Sequence, residues 1–169
     1  AASLATGFLR SSPDADTPDI QFHIQPWSAD SPSEGVHSFS AFTASVCQLR
    51  PESRGHLALA SADPARAPLI HPNYLATPND CRTIVEGVRI ARRIARERPL
   101  SDEISAEHRP GPDVDDADDA ALLDWVRNSA TTIYHPTGTC KMGPKGDGMA
   151  VVDARLRVHG VDGLSVADC

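Results

Sequence analysis

The sequence predicts an α+β fold, an antiparallel sheet flanked by helices, and two observations carry that prediction. Apolar residues alternate with polar ones in the first third, whereas between residues 77 and 129 they recur at three- and four-residue spacing. Strands and helices are therefore grouped along the chain rather than alternating, which argues against a parallel βαβ sheet.

Residues 1–18, rich in Ala, Ser, Pro and Asp, read as a leading segment, and residues 19–169 as one domain. Ile20, Phe22 and Ile24 alternate with Gln21, His23 and Gln25, which predicts a strand with one buried face, stopped by Pro26. Ser28 to Gly35 is a loop of turn formers. Val36 to Leu49 predicts a second, long strand, with Arg50 to Gly55 as a turn and His56 to Ala62 as its hairpin partner. Thr77 then supplies an N-cap, Pro78 a first helical residue and Asp80 an acid near the positive helix end, so a helix is expected over about 78–98, ended by Pro99. Cys81, Ile84, Val85, Val88, Ala91 and Ala95 form its apolar stripe. Arg82, Glu86, Arg89, Arg93 and Arg96 lie on the other side and read as a solvated face. A shorter helix begins in the acidic Asp113 to Asp119 segment and buries Leu122, Leu123 and Val126, with Trp125 beside them. In the last third, Thr132 to Pro144 is loop-like. Val151 to Asp153, Leu156 to Gly160 and Leu164 to Asp168 predict short strands between turns.

A length of 169 residues fits one domain, and no apolar run approaches the roughly 20 residues that a membrane-spanning helix needs. Lys and Arg number 16 against 23 Asp and Glu, and the resulting charge of −7 disfavours a general nucleic-acid-binding surface. Cys47, Cys81, Cys140 and Cys169 form no C-x-x-C pair and have no His cluster at zinc-site spacing, so no metal is expected. The thiols read as those of a reducing cytoplasm. The chain starts at Ala1 without Met and stops at Cys169 inside a strand-like run, which reads as a fragment of a longer protein.

No G-x-G-x-x-G, P-loop, G-x-S-x-G or H-E-x-x-H motif occurs, which leaves nucleotide binding, serine hydrolysis and zinc proteolysis without support in these residues. The acidic run Asp113 to Asp119 lacks the Gly and Glu of a calcium-binding loop and reads as a solvated helix start. Cys140 near His135 reads as a small buried thiol, because catalytic pairs are set by folding rather than by sequence offset. His135 itself is held between Tyr134 and Pro136, and the proline biases it toward an extended conformation. An imidazole presented that way suits proton transfer near neutral pH, with a hydrogen-bonded structural histidine as the alternative.

The run Tyr134-His-Pro-Thr-Gly-Thr-Cys-Lys-Met-Gly143, followed by Val151 to Asp168, closely resembles the C-terminal signature of the glucose-methanol-choline flavoprotein oxidoreductases. The resemblance extends back through Gln48 to Gly55, Ala60 to Pro64, Pro72 to Leu75 and Glu86 to Arg92, which are similar to the choline dehydrogenase branch. It implies the substrate-binding portion of a larger FAD enzyme that oxidises a primary alcohol to an aldehyde by hydride transfer to flavin. Its partners would be a small alcohol and an N-terminal FAD-binding domain of the same polypeptide. It implies His135 as the catalytic residue at the substrate hydroxyl, His23 and Tyr134 in the substrate pocket, and Val166, Ala167 and Asp168 as backbone near the flavin. The family's glycine-rich FAD segment is absent from the chain, and its second catalytic His or Asn would lie beyond Cys169. The fragment alone is therefore expected to bind no FAD and to be inactive. A stand-alone small-molecule binding module without redox activity, and a structural or oligomer-forming domain, are the alternatives. The excess of Arg over Lys and the abundant Ala suggest a bacterial, GC-rich origin.

Overall fold

The computed structural model describes residues 3–31 and 34–169. The chain forms two compact units, Ala1–Arg54 with Tyr74–Ala130, and Gly55–Asn73 with Thr131–Cys169. Antiparallel sheets and helices give the α+β class that the sequence predicts.

In the first unit, β1 (Ala5–Leu9), β2 (Ile20–Gln25) and β3 (Thr43–Gln48) form an antiparallel sheet with β2 in the centre. The expected alternation in β2 holds where it matters: Ile20 and Phe22 are buried and pack with Ile90 of the first helix, supported by Leu9, Val46 and Ala91. β1 lies inside the leading segment, whose polar composition hid it, and it pairs Ala5 to Ile24 through Leu9 to Ile20. The strand expected over Val36 to Leu49 shrinks to six residues. Gln25 faces Thr43 at the end of the ladder. The next partner would be Pro26, which has no N–H to give. Residues before Thr43 instead close a loop, with the His37 N–H donating to the Ser28 carbonyl at 2.8 Å.

The hairpin expected between this strand and His56 to Ala62 does not form. After β3 the backbone is committed to the first helix, α1 (Pro78–Ala95). Asp80 in its first turn is 1% exposed and accepts from the N–H groups of Glu52 (2.9 Å) and Ser53 (2.8 Å), the Ser53 hydroxyl and the Gln48 amide. Burial pushes the Asp80 carboxyl up, and the Ser53 hydroxyl with these N–H donors outweighs it, leaving the group below the usual carboxylate range. Thr77 caps the helix through its side-chain oxygen, as expected, and the helix ends at Ala95, short of Pro99, because Arg96 takes up the cap position. A single turn, α2 (Leu100–Glu103), follows. The last helix of the unit, α3 (Asp119–Ser129), is capped by the Asp118 carboxylate and buries Leu122 and Val126 against Val85 and Val88 of α1.

The solvated reading of the acidic run and of the arginine face holds for Arg82, Arg93, Arg96, Asp113, Asp115, Asp118 and Asp119, which are exposed, and is corrected at Arg89 and Asp116, which are half-buried in ion pairs. Arg92 is buried, and every guanidinium N–H has an acceptor: Glu107 receives two (2.8 Å each), Asp116 one (2.6 Å), and the Val114 and Gly111 carbonyls one each (2.8 and 2.9 Å). Arg96 joins Asp116 at 2.8 Å, and Arg89 pairs with Asp119. Arg92 and Arg96, four residues apart, are tolerated because both meet Asp116 in the segment that leads into α3.

The second unit holds β4 (His56–Ala58) and β5 (Leu69–His71), which pair antiparallel. The three short strands expected near the C-terminus reduce to isolated bridges, Met142 with Val152, Val152 with Val158, and Arg157 with Ser165. Among the described residues Val152 is the unit's one fully buried apolar side chain, so no apolar face is available to extend these bridges into ladders.

Removing the Arg92 fork leaves two carboxylates and two carbonyls facing one another. Arg92→Met is expected to destabilise the protein by about 3 kcal/mol, the low end for a broken buried pair because both carboxylates reach solvent. Arg92→Lys should restore only part of this, since an ammonium cannot reproduce the fork. Chemical denaturation of the variants measures both. A second test concerns the close approach of α1 to β3, where a Cβ on Gly87 would stand 2.7 Å from a Val46 methyl. Gly87→Ala is expected to destabilise the wild type despite the ~1 kcal/mol that alanine adds to a helix, and to stabilise a Val46→Ala background. A double-mutant cycle should return a coupling of roughly 1–3 kcal/mol.

Candidate functional site

The second unit places the His-Pro loop and the C-terminal segment together. Tyr134 takes a left-handed conformation (φ 63°), its N–H donating to the Thr132 side-chain oxygen at 3.0 Å, and this turn precedes the pair His135-Pro136. His135 is exposed. Three residues on, Gly138 adopts φ 98°, which a side chain would strain, and its N–H donates to the Cys169 carbonyl at 2.6 Å. This bond ties the loop that carries His135 to the residue that follows Val166-Ala167-Asp168.

Both partners are anchored at their other ends. Lys141 offers its carbonyl to the Val151 N–H (2.8 Å), the Gly143 N–H donates to Val152 (2.9 Å), and the His159 ring contacts the Gly143 carbonyl through Nε2 at 3.0 Å. On the C-terminal side, the Val158 N–H reaches Leu164 and the Val166 N–H reaches Leu156, each at 3.0 Å. The turn between these strips is closed by Asp153, which accepts from the Arg155 and Arg157 N–H groups at 2.8 and 3.0 Å and from the Arg157 guanidinium at 2.9 and 2.7 Å. The Arg157 guanidinium, followed by its N–H, holds the Asp153 carboxyl down to about 2.

Of the residues singled out from the sequence, His135, Tyr134, Val166, Ala167 and Asp168 thus fall in one unit, joined through the Gly138 to Cys169 bond. Tyr134 is 75% exposed, and Ala167 and Asp168 are exposed as well. His23 lies in the first unit, half-buried on β2, with Nδ1 at 3.2 Å from the Ser3 hydroxyl. Cys140 is half-buried and free, as are Cys47 and Cys81, and Cys169 is free and exposed. Sequence reasoning missed Gly138 as the tether and Asp153 as the clamp. The signals were available in a glycine inside a proline-bounded loop and an aspartate four residues before an arginine, but both are too common in turns to stand out. No helix of the described residues is long and apolar enough to cross a membrane.

The family model described as GMC oxidoreductase matches residues 51–169. The chain is 40% identical over 162 residues to an alcohol dehydrogenase [acceptor] of Pseudomonas putida, covering 96% of this chain and 29% of that protein. It is 42% identical over 166 residues to an oxygen-dependent choline dehydrogenase of Rhizobium rhizogenes, covering 97% of this chain and 30% of that one. The crystal structure of pyridoxine 4-oxidase from Mesorbium loti superposes with a TM-score of 0.84 at 28% identity, over 98% of this chain and 32% of that chain. The chain therefore spans about three-tenths of the length of the proteins it matches.

The Asp153 clamp makes a titration prediction. Its folded value is depressed below the ordinary carboxylate value of about 3.9, so its stabilisation is fully present above about pH 4 and is lost as pH falls through about 2. A carboxyl NMR titration should find the Asp153 midpoint near 2, and Arg157→Gln should return it toward the ordinary value.

Proposed function

Because the chain belongs to the GMC oxidoreductase family, we propose that it is the substrate-binding portion of an FAD-dependent alcohol dehydrogenase of the choline dehydrogenase type. The reaction is oxidation of a primary alcohol to an aldehyde. The tether between Gly138 and Cys169 carries this reading, since it joins the one exposed histidine of a proline-fixed loop to the backbone assigned to the flavin. Residues 19–169 act as one functional portion under this reading, and residues 1–18 add β1 to its first sheet.

The residues present fit a flavin edge. Val166 is half-buried and spends its N–H on Leu156, whereas Ala167 and Asp168 run exposed beside the His135 loop and offer backbone donors suited to ring carbonyl and nitrogen acceptors. When bound, FAD supplies the acceptor for the hydride leaving the carbinol carbon. His135 takes the proton from the substrate hydroxyl oxygen as negative charge develops there, so its contact with that oxygen is stronger in the transition state than in the ground state. The Tyr134 turn and Pro136 restrict the backbone that carries the His135 ring, which lowers the ordering cost of the step. Tyr134 walls the pocket beside His135, and His23 keeps the family expectation of a substrate contact. The chain has no glycine-rich dinucleotide motif, so the remainder of a longer polypeptide supplies most of the flavin site, and the 169 residues alone give no turnover. The wide sequence spacing of Cys47, Cys81, Cys140 and Cys169 is the basis for proposing a reducing, cytoplasmic setting.

The test is anaerobic mixing of the intact polypeptide with a panel of primary alcohols, choline among them, while the flavin absorbance is followed. The wild type is expected to hold flavin and be bleached by at least one alcohol, with His135→Ala slower by roughly 10²–10⁴-fold. A polypeptide that binds no flavin would overturn the reading in favour of a binding module. Equal bleaching rates in the two proteins would remove His135 from the chemistry.

A further inference from the structure

Away from the His-Pro loop, the first unit gathers a group of side chains that the proposed alcohol oxidation does not use. Asp30 and His37 come from the loop after β2, and His108 from the irregular segment after α2. The Nε2 atoms of His37 and His108 each stand 3.4 Å from the same Asp30 oxygen, Oδ1, and the three candidate ligand atoms lie within 4.8 Å of one another.

A separation of 3.4 Å is long for an N–H···O bond, whose usual distance is about 2.9–3.0 Å. It is the separation expected of two ligands on one ion: a tetrahedral centre with arms of about 2.0–2.1 Å spaces neighbouring ligand atoms by about 3.3–3.4 Å. The His37 ring is set up for this role on its other nitrogen. Nδ1 lies 2.8 Å from the Ser28 hydroxyl, an outer partner that, in the tautomer with the proton on Nδ1, accepts that proton and leaves Nε2 with its lone pair toward Asp30. Phe39 stacks on His37 with centroids 4.7 Å apart and meets His108 edge-on at 5.3 Å, so one apolar ring orients both imidazoles. One group competes. Arg109 Nε sits 3.0 Å from the same Oδ1, so a positive charge already occupies one approach to this oxygen.

We propose that Asp30, His37 and His108 form a binding site for a divalent transition-metal ion of the zinc class, with Ser28 as the outer partner of His37. The ion takes two imidazole nitrogens and one carboxylate oxygen and leaves a fourth position for water. It displaces Arg109 from Oδ1, and it joins the loop after β2 to the segment after α2. Sequence spacing gives no hint of this, because the ligands are spread from residue 30 to residue 108 and belong to no short motif.

The intact polypeptide, stripped with chelator, is titrated with zinc chloride by calorimetry, and thermal unfolding confirms that each variant is folded. The expected result is one zinc bound per chain, weakened by more than ~100-fold in the double variant His37→Gln/His108→Gln and by roughly 10–100-fold in Ser28→Ala. Arg109→Gln is expected to tighten binding by removing the competitor. No zinc uptake by the wild type would overturn the proposal. Uptake that survives the double substitution would also overturn it.

Discussion

Five hydrogen bonds from one guanidinium hold the helical layer of the first unit together. Residues 104–118 contain no helix or strand and carry Pro110, Gly111 and Pro112, so they cannot satisfy their own carbonyls through regular structure. Arg92 answers two of those carbonyls and two carboxylates from the side of α1. With that segment pinned, α3 starts beside α1, and Leu122 and Val126 close over Val85 and Val88. Asp80 plays the corresponding part at the other end of α1, where it gathers the turn after β3. Both are charged groups taken out of water, and both persist because every polar atom has a partner.

The second unit rests on a different principle. Its apolar burial centres on Val152, and its shape follows from backbone bonds between short strips, from the Asp153 clamp and from glycines in conformations that side chains avoid. A segment built this way holds exposed backbone and side chains in fixed places at its surface, as a site for a cofactor and a small substrate requires.

These two principles also decide what could be read from the sequence. Period-two alternation at Ile20 and Phe22, the Thr77-Pro78 helix start and the Leu122 to Val126 stripe are local signals reinforced by burial, and they held. The leading strand β1 was hidden because it buries little: Phe8 is exposed, and its pairing to β2 depends on a partner eleven or more residues away. The pairing of β4 with β5 was hidden because Leu69 to His71 is only three residues long and exposed throughout, so no buried face marks it in the sequence. In the second unit the Tyr134 to Gly143 motif was readable as a family signature, whereas the bridges around Val152 lack any apolar period that would announce them.

The central claim is that the loop of His135 and the Val166 to Asp168 backbone, joined by the Gly138 to Cys169 bond, face one flavin. A crystal structure of the intact polypeptide purified with its flavin tests it most directly. The account predicts the isoalloxazine ring against the Ala167 and Asp168 backbone, with the His135 imidazole turned toward the space where an alcohol would meet it. A flavin seated away from both, with His135 directed into solvent, would contradict it.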